Sequence, residues 1–237
     1  MIEKAMILAA GLGTRMRPLT DNIPKPLVQV HQKALIEYKL EAARKSGIKS
    51  VVVNVHYMAD QLEEYLNNID GLEIIISDER EMLLDSGGGI FNALSHLGNE
   101  AFLVMNSDTF WINDNPASLL QLFEKWDSEA MDILLALAHK NRAIGFHGPG
   151  DFFLKKNNCL ACRAKSNAAP YAFAGDYIVH PRVFHDIPEG PFSSLMLFDR
   201  AMSKDKLHGV SLEGTWLDVG TPDSLIEAER AITQQNI

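Results

Sequence analysis

The chain has 237 residues, a hydrophobic content of 46% and a formal net charge of −9. This composition predicts a globular protein with a sizeable core, and the acidic balance argues against a basic nucleic-acid-binding surface. The chain has no run of the ~18 apolar residues that a membrane span needs, and its N-terminus lacks a cleavable signal pattern. We therefore expect a cytoplasmic protein that binds neither nucleic acid nor a membrane.

The first predicted element is a short buried strand over residues 4–10, which are mostly apolar and end at Gly11. Gly11 and Gly13 then form a G-x-G loop, in which backbone N–H groups are able to turn toward an anion. The loop is not a dinucleotide fingerprint, because Met16 stands where the third glycine belongs. It is not a Walker A loop either, since no Gly-Lys-Ser/Thr follows.

Cations are concentrated directly after these glycines. Arg15, Arg17 and Lys25 are opposed by a single acid, Asp21, over residues 11–26. An arginine binds two phosphate oxygens at once, whereas a lysine acts as a mobile point charge. Prolines on both sides of Lys25 stiffen its backbone and help to aim its ammonium group. This segment therefore predicts a site for a small anion.

Helical and strand patterns then alternate, which predicts a mostly parallel, doubly wound sheet. The predicted elements are a helix from Leu35 to Gly47, a strand from Ser50, a helix over 59–67 and a strand from Leu72. Three glycines, Gly87 to Gly89, follow at the start of another helix, where each costs up to ~1 kcal/mol. We interpret them as backbone against which a flat ring lies; the alternative is a flexible helix start capped by Asp85 or Ser86.

Further strands carry acidic residues at their ends. Residues 101–106 predict a buried strand, and Asp108 follows it, where carboxylates face the ligand crevice of a parallel sheet. A helix is predicted over 116–126 and a strand from Asp132. The alternating polar segment 148–165 predicts an antiparallel hairpin. The remaining predicted elements are a strand over 171–179 interrupted by Gly175, a helix over 193–202, a strand over 207–212 and a helix over 223–232 capped by Thr221.

Cys159 and Cys162 form an isolated C-x-x-C within the predicted hairpin. Such a pair is compatible with half a zinc site or with a redox pair. A zinc site needs a second ligand pair, and a redox motif opens a helix after a strand. The polar hairpin meets neither condition, so we interpret this motif as an ordinary loop.

Two motifs resemble those of one enzyme family. The run from Leu8 to Thr20 followed by P-K-P-L resembles the signature of the sugar-1-phosphate nucleotidyltransferases, and W-L-D-V-G-T-P near Asp218 resembles their closing motif. The resemblance implies a Rossmann-like α/β fold of the nucleotide-diphospho-sugar transferase type with a small antiparallel extension on the sugar side. We expect one domain over 1–237, with a nucleotide-binding half at 1–140 and a sugar-binding half at 141–237.

The resemblance also implies a reaction and roles for individual residues. A nucleoside triphosphate and a sugar 1-phosphate would give an NDP-sugar and pyrophosphate, with Arg15 and Lys25 as catalytic cations and Mg²⁺ held by Asp108 and Asp218. The implied nucleotide-binding residues are Ala9, Ala10, Gly11, Gly13, Thr14, Arg15, Asp85, Gly87 and Gly88. The implied sugar-binding residues are Asn106, Gly150 and Asp176, although a solvated strand-end acid is an equal interpretation of Asp176. The family's common Glu-Lys-Pro triplet is absent, which leaves the sugar undefined by that route.

Within the family, the glycine triplet together with N-S-D, F-A-G and W-L-D-V-G-T-P is most similar to the N-acetylmuramate α-1-phosphate uridylyltransferases of cell-wall recycling. UTP and N-acetylmuramate α-1-phosphate are then the expected substrates. The alternatives are a mannose- or heptose-1-phosphate guanylyltransferase and, from another class, a non-catalytic nucleotide-sensing subunit. The sequence does not define an oligomeric state.

Overall fold

The structure is a computed structural model that describes residues 2–113, 117–164 and 167–235. Its strands in chain order are β1 (Lys4–Leu8), β2 (Gln29–Val30), β3 (Lys33–Ala34), β4 (Ser50–Val55), β5 (Glu73–Asp78), β6 (Phe102–Asn106), β7 (Thr109–Ile112), β8 (Ile133–His139), β9 (Ala143–Ile144), β10 (Phe152–Leu154), β11 (Leu160–Cys162), β12 (Tyr171–Val179), β13 (Leu207–Ser211) and β14 (Thr215–Asp218). Its α-helices are α1 (Leu35–Lys45), α2 (Ala59–Leu66), α3 (Asp85–Leu97), α4 (Ala117–Lys125), α5 (Leu195–Met202) and α6 (Pro222–Gln235).

The described part of the chain forms a central sheet of nine strands. Parallel pairing joins β6, β1, β4 and β5 in that order, so β1 has a parallel neighbour on each side. On the other side of β6 lies β12, which runs antiparallel to both β6 and β8, whereas β13 is parallel to β8. The hairpin of β10 and β11 extends the sheet beyond β12. Most strands therefore point their carboxyl ends toward the same edge.

Helices cover both faces of this sheet, which explains why its strands are apolar almost without interruption. In β1, Ala5 and Ile7 pack on the face that carries α1 and α2, while Met6 between them packs on the face that carries α3 and α5. Alternate residues of a strand point to opposite faces, so a strand buried on both sides cannot alternate with polar residues. The predicted doubly wound α/β architecture is confirmed.

A second, three-stranded sheet joins distant parts of the chain, in the order β7, β14 and β9. The antiparallel register of β7 and β14 pairs Thr109 with Asp218. Leu217 and Val219 pack with Met16 and Ala228 in a separate hydrophobic cluster under this sheet. This sheet brings the segment after β6 and the segment before α6 to the same edge of the central sheet.

The predicted elements agree with the observed ones to within a few residues. Residues 171–179 form β12, with a bulge between Phe173 and Tyr177 and a positive φ at Gly175, where the interruption was expected. Thr221 accepts a hydrogen bond from the backbone N–H of Ser224 and so caps α6 as predicted. The start of the predicted helix at Pro116 and the end of the hairpin segment at Lys165 lie outside the described residues.

Candidate active site

The loop that follows β1 forms one wall of a cavity of about 470 Å³ at the carboxyl ends of β1 and β6. The structure brings most of the predicted site residues to this cavity. Those lining it are Ala9, Ala10, Gly11, Gly13, Thr14, Arg15, Lys25, Asp85, Asn106 and Asp108. In parallel sheets, ligands bind outside the carboxyl ends of the strands, and this cavity occupies that position.

The two glycines of the loop have different structural environments. Gly13 has a φ of +63°, and a Cβ there would lie 3.0 Å from Thr20 Cγ2 and 3.1 Å from Lys25 Cβ. The Thr20 hydroxyl donates to the carbonyl of Gly13 at 2.8 Å, which holds the turn. A Cβ on Gly11 would instead meet no atom within 4 Å. Packing within the protein therefore explains Gly13 but not Gly11, whose open side faces the cavity.

Lys25 forms an ion pair in the cavity wall. Its Nζ lies 2.5 Å from Asp108 Oδ2, and the two side chains are 12% and 22% exposed. Pro24 has extended backbone angles, and residues 25–27 form a single 3₁₀ turn that directs the lysine inward. The structure thus places the ammonium group of the P-K-P-L motif beside the carboxylate that follows β6.

Asp108 and Asp218 are neighbours across the small sheet, since the N–H of Val219 donates to the carbonyl of Asp108 at 2.9 Å. Burial, followed by the charge of Asp108, raises the pKa of Asp218 to about 6, against the opposing charges of Lys25, Arg15 and His147. Two carboxylates that repel each other next to a cavity suit a hard divalent cation. No group of three His, Cys, Asp or Glu side chains suited to a metal occurs in the described ranges, so water and phosphate oxygens would have to complete its coordination.

Arg15 is exposed at the mouth of the cavity and lies beside Gly220. A Cβ on Gly220 would approach the Arg15 guanidinium to 3.4 Å and Asp218 Oδ1 to 3.3 Å. Gly220 is therefore the residue that allows the arginine to pass close to the second carboxylate. The W-L-D-V-G-T-P motif supplies both the acid and the small residue beside it.

Comparison with known proteins identifies the family. A family model described as nucleotidyl transferase matches residues 4–148. The chain is also 42% identical over 234 residues to the N-acetylmuramate alpha-1-phosphate uridylyltransferase of Caulobacter vibrioides, and the match covers 97% of each chain. The chain belongs to the nucleotidyl transferase family. Within it, the chain is a sugar-1-phosphate nucleotidyltransferase, so the predicted family and enzyme class are confirmed. A nucleoside triphosphate and a sugar phosphate fit this family as substrates, and its members generally use a divalent metal.

Other relatives extend the comparison. The N-acetylmuramate alpha-1-phosphate uridylyltransferase of Neisseria meningitidis serogroup B is 35% identical, over 95% of this chain and 96% of the relative. A mannose-1-phosphate guanyltransferase beta-A of Xenopus laevis is 30% identical over 94% of this chain but only 62% of the relative. A solved UDP-glucose pyrophosphorylase bound to UDP-glucose superposes with a TM-score of 0.77 at 21% identity, covering 99% of this chain and 100% of that chain. This last likeness supports the fold of this nucleotidyltransferase.

The first two glycines of the triplet in this nucleotidyltransferase make close contacts within the protein. The N–H groups of Gly87 and Gly88 both donate to the carbonyl of Phe192, at 2.8 and 3.0 Å. A Cβ on Gly87 would lie 2.4 Å from the Phe192 ring, and one on Gly88 would lie 2.4 Å from the carbonyl oxygen of Gly190. Both glycines are buried, so the close approach of residues 190–192 is enough to require them. The contact with a flat ring of the substrate stays a prediction. Neither glycine lines the cavity, whereas Asp85, the third residue predicted to bind the nucleotide in this segment, does.

Two predicted sugar-binding residues also lie away from the cavity wall. Gly150 is buried with a φ of +84°, and a Cβ there would lie 2.2 Å from the carbonyl oxygen of Ala169. Asp176 is 1% exposed, and its Oδ1 accepts a hydrogen bond from Lys39 Nζ at 2.6 Å. This buried ion pair shows that the interpretation of Asp176 as a solvated acid is wrong, whereas its role as a sugar ligand stays a prediction. Asn106 does line the cavity.

Some residues of the cavity were not predicted. Asn54 lines it from the carboxyl end of β4, and Ser86, Ser107 and Gly220 lie around it. Asn54 is a polar residue in an otherwise apolar strand, Ser50–Val55, and is only 3% exposed. A buried amide needs hydrogen-bond partners. The polar Asn54 within an apolar strand was therefore a signal for a functional or structural contact, although the strand as a whole was interpreted only as a buried element.

Both cysteines lie in the predicted hairpin, Cys159 in the connection between β10 and β11 and Cys162 at the end of β11, and both are free thiols. Cys159 is buried with its Sγ 3.4 Å from His208 Nε2, while Cys162 is exposed.

None of the described helices has the length and apolar character required to cross a membrane.

Proposed function

We propose that this nucleotidyltransferase transfers a uridylyl group from UTP to N-acetylmuramate α-1-phosphate and releases pyrophosphate. The observation that carries the proposal is the similarity to two uridylyltransferases of that name, at 42% and 35% identity over nearly the full length of each chain. The product would be UDP-N-acetylmuramate, a sugar nucleotide of peptidoglycan recycling, made in the cytoplasm.

The chemistry is an in-line displacement at the α-phosphorus of the triphosphate. A phosphate oxygen of the sugar 1-phosphate attacks, and pyrophosphate leaves on the opposite side. Because the attacking oxygen is already anionic, no general base is needed, and the main obstacle is repulsion between the two phosphates. Catalysis then depends on positioning and on neutralising charge.

Arg15 and the adjoining backbone suit the leaving group. The guanidinium is exposed at the cavity mouth, and the loop offers the N–H groups of Gly13 and Thr14 nearby. We assign to them the β- and γ-phosphates, because a guanidinium binds two phosphate oxygens in a fixed geometry. Gly11 leaves space for the triphosphate to approach the backbone, and Ala9 and Ala10 continue the same wall.

Lys25 suits the position between the two substrates. Its ammonium group lies at Asp108 in the structure, within the same cavity wall as Asn106. We assign to it the α-phosphate and the incoming sugar phosphate, whose mutual repulsion a single positive charge between them reduces. Asp85 borders the side assigned to the nucleotide, and Asn106 borders the side assigned to the sugar.

Asp108 and Asp218 are the residues that would hold Mg²⁺. Their two carboxylates and the open cavity fit an ion that commonly takes one or two protein carboxylates and completes its octahedron with phosphates and water. When bound, Mg²⁺ would withdraw charge from the α-phosphate. Burial and, after it, the charge of Asp108 raise the pKa of Asp218, and a bound cation would oppose both effects.

Pyrophosphate release tests the proposed function. UTP, GTP, CTP and dTTP are each combined with the 1-phosphates of N-acetylmuramate, N-acetylglucosamine, glucose and mannose, in Mg²⁺ and again in excess EDTA. We expect the highest kcat/KM for UTP with N-acetylmuramate α-1-phosphate, and loss of turnover in EDTA. Activity confined to GTP with mannose 1-phosphate would establish the second candidate, a guanylyltransferase, which the similarity to the Xenopus laevis enzyme favours. Triphosphate binding without pyrophosphate release would indicate a sensing subunit.

Replacing Gly11 with alanine tests the assignment of the loop. Because the added Cβ meets no protein atom, we expect unchanged or slightly higher stability, by up to about 1 kcal/mol, and a KM for the triphosphate raised about 10- to 100-fold. Thermal unfolding and initial rates measure the two effects. The matched control is Gly13→Ala, which should lower Tm because its φ is positive and its surroundings are tight. An unchanged KM in Gly11→Ala would contradict the role of Gly11.

A further inference from the structure

A chain of hydrogen bonds runs beneath the cavity and connects its two sides. The N–H of Ala9 donates to Asn54 Oδ1 at 2.7 Å, and Asn54 Nδ2 donates to Glu79 Oε1 at 2.7 Å. Glu79 Oε2 then accepts from the N–H of Leu84 at 3.2 Å. The chain of bonds therefore joins the phosphate-binding loop after β1 to Leu84, which directly precedes α3 and whose neighbours Leu83, Asp85 and Ser86 line the cavity.

Both side chains in this chain of bonds are buried, at 3% exposure each. Burial raises the pKa of Glu79, and the hydrogen bonds from Asn54 and Leu84 oppose that rise. A buried carboxylate is tolerated only when its oxygens are satisfied, and here each oxygen has one donor. The donor and acceptor atoms are thus matched at every link, so the orientation of the Asn54 amide is determined by Ala9 on one side and Glu79 on the other.

Gly89 shows how tightly this pair is enclosed. A Cβ on Gly89 would lie 2.6 Å from Glu79 Oε1 and 2.9 Å from Asn54 Nδ2. Helix α3 therefore packs directly on the two polar groups, and a movement of its start away from Glu79 would break the hydrogen bond from the N–H of Leu84. The third glycine of the triplet is explained by this contact.

We propose that Asn54 and Glu79 are positioning residues, which set the separation between the triphosphate-binding loop and the segment at the start of α3. This inference rests on the proposed function, because both segments are assigned there to the nucleoside triphosphate. The pair controls affinity for the triphosphate and leaves the sugar 1-phosphate unaffected, since neither Asn106 nor any other residue assigned to the sugar belongs to the chain of bonds.

Exchanging the amide and the carboxylate tests the proposal. Glu79→Gln leaves one acceptor oxygen for two donors, and Asn54→Asp places two carboxylates face to face, so each single variant breaks a link. The double variant Asn54→Asp/Glu79→Gln restores every link with the donor on the other side chain. The control is Ser77→Ala, which removes a different, partly buried hydrogen bond between β5 and α3, from Asn92 Nδ2 to Ser77 Oγ at 3.1 Å.

Steady-state kinetics separates positioning from general destabilisation. We expect Glu79→Gln to raise KM for UTP at least tenfold, with kcat and the KM for the sugar 1-phosphate within threefold of wild type. Asn54→Asp should do the same or more, and the double variant should return to within threefold of wild type. Ser77→Ala should leave KM for UTP unchanged whatever its effect on Tm. Equal increases in both KM values, or a double variant no better than Glu79→Gln, would overturn the proposal.

Calorimetric binding of UTP and GTP in Mg²⁺ gives a second measurement that does not depend on turnover. If the wild-type protein binds a triphosphate but turns over no substrate pair, the proposed function fails, while the loss and recovery of binding across the variants still decides the positioning role. If Asn54→Asp does not fold, Glu79→Gln and the double variant carry the same comparison. Triphosphate affinity that is equal in wild type and Glu79→Gln would also overturn the proposal.

Discussion

Lys25→Ala is expected to lower kcat about a thousandfold while leaving the protein folded. The ammonium group is the positive charge nearest to Asp108 in the cavity wall, at 2.5 Å, and we assign to it the phosphates that have to approach each other. Its loss removes charge neutralisation where negative charge accumulates in the transition state. The side chain is partly exposed and its carboxylate partner remains in contact with solvent, so the fold should tolerate the change. Single-turnover and steady-state rates of pyrophosphate release measure the effect.

Two comparisons make this result specific. Asp108→Asn should also abolish turnover, because it removes one of the two carboxylates assigned to the metal. Lys49→Ala removes an exposed lysine that pairs with Glu3 at the surface, and should leave kcat unchanged. Retention of more than a tenth of the wild-type kcat by Lys25→Ala, a loss of under about 1.4 kcal/mol in transition-state stabilisation, would contradict the assignment.

Lys39→Met should destabilise the fold by about 3–5 kcal/mol, since it leaves the buried Asp176 carboxylate without its counter-ion. Lys39 and Asp176 are 2% and 1% exposed and lie 2.6 Å apart. Burial raises the pKa of Asp176, and the ion pair with Lys39 opposes that rise. We expect Tm to fall by roughly 10 °C, which thermal and urea unfolding would both detect.

A double variant separates the ion pair from the chemistry. Lys39→Met/Asp176→Leu replaces both charges with apolar groups and should recover most of the lost stability, because a buried pair is often no more stabilising than a packed apolar pair. It should also keep the wild-type KM for the sugar 1-phosphate, since Asp176 does not line the cavity. The exposed pair of Lys49 and Glu3 provides the control, and Lys49→Met should cost less than about 1 kcal/mol. A loss of under 1 kcal/mol in Lys39→Met would contradict the expected role.

The sequence predicted the site best where function restricts the backbone and the residue type together. The loop after β1 needs small residues and cations in a set order, and Asp108 follows a strand of the parallel sheet at its carboxyl end. Asp218 was predicted from the resemblance of its motif to that of the family. The glycine triplet was a weaker guide. Close approach to a ligand and close approach to another protein segment impose the same requirement on a glycine, and the observed neighbour is the segment 190–192.

Buried polar groups mark the limit of sequence-based prediction here. Lys39 meets Asp176 across 137 positions, and Asn54 meets Ala9 and Glu79 across 45 and 25 positions. Strand order and the packing of helices decide such pairings, and neither is visible in the spacing of residues along the chain. From the sequence, a sugar ligand and a solvated acid were therefore equal interpretations of Asp176, and its pairing with Lys39 was not predicted.

The sequence by itself determined the α/β class, the covered parallel strands, the anion-binding loop and the family, because these depend on local periodicity and on contiguous motifs. The resemblance implied that Asp108 and Asp218 lie together. Only the tertiary structure decided that Lys25 pairs with Asp108 and that Asn54 connects the two sides of the cavity. The physical reason is that a side chain's charge and hydrogen bonds depend on what the fold places against it. The opening loop is thus recognisable from its residues, whereas the geometry that would make it catalytic comes from segments far away in the chain.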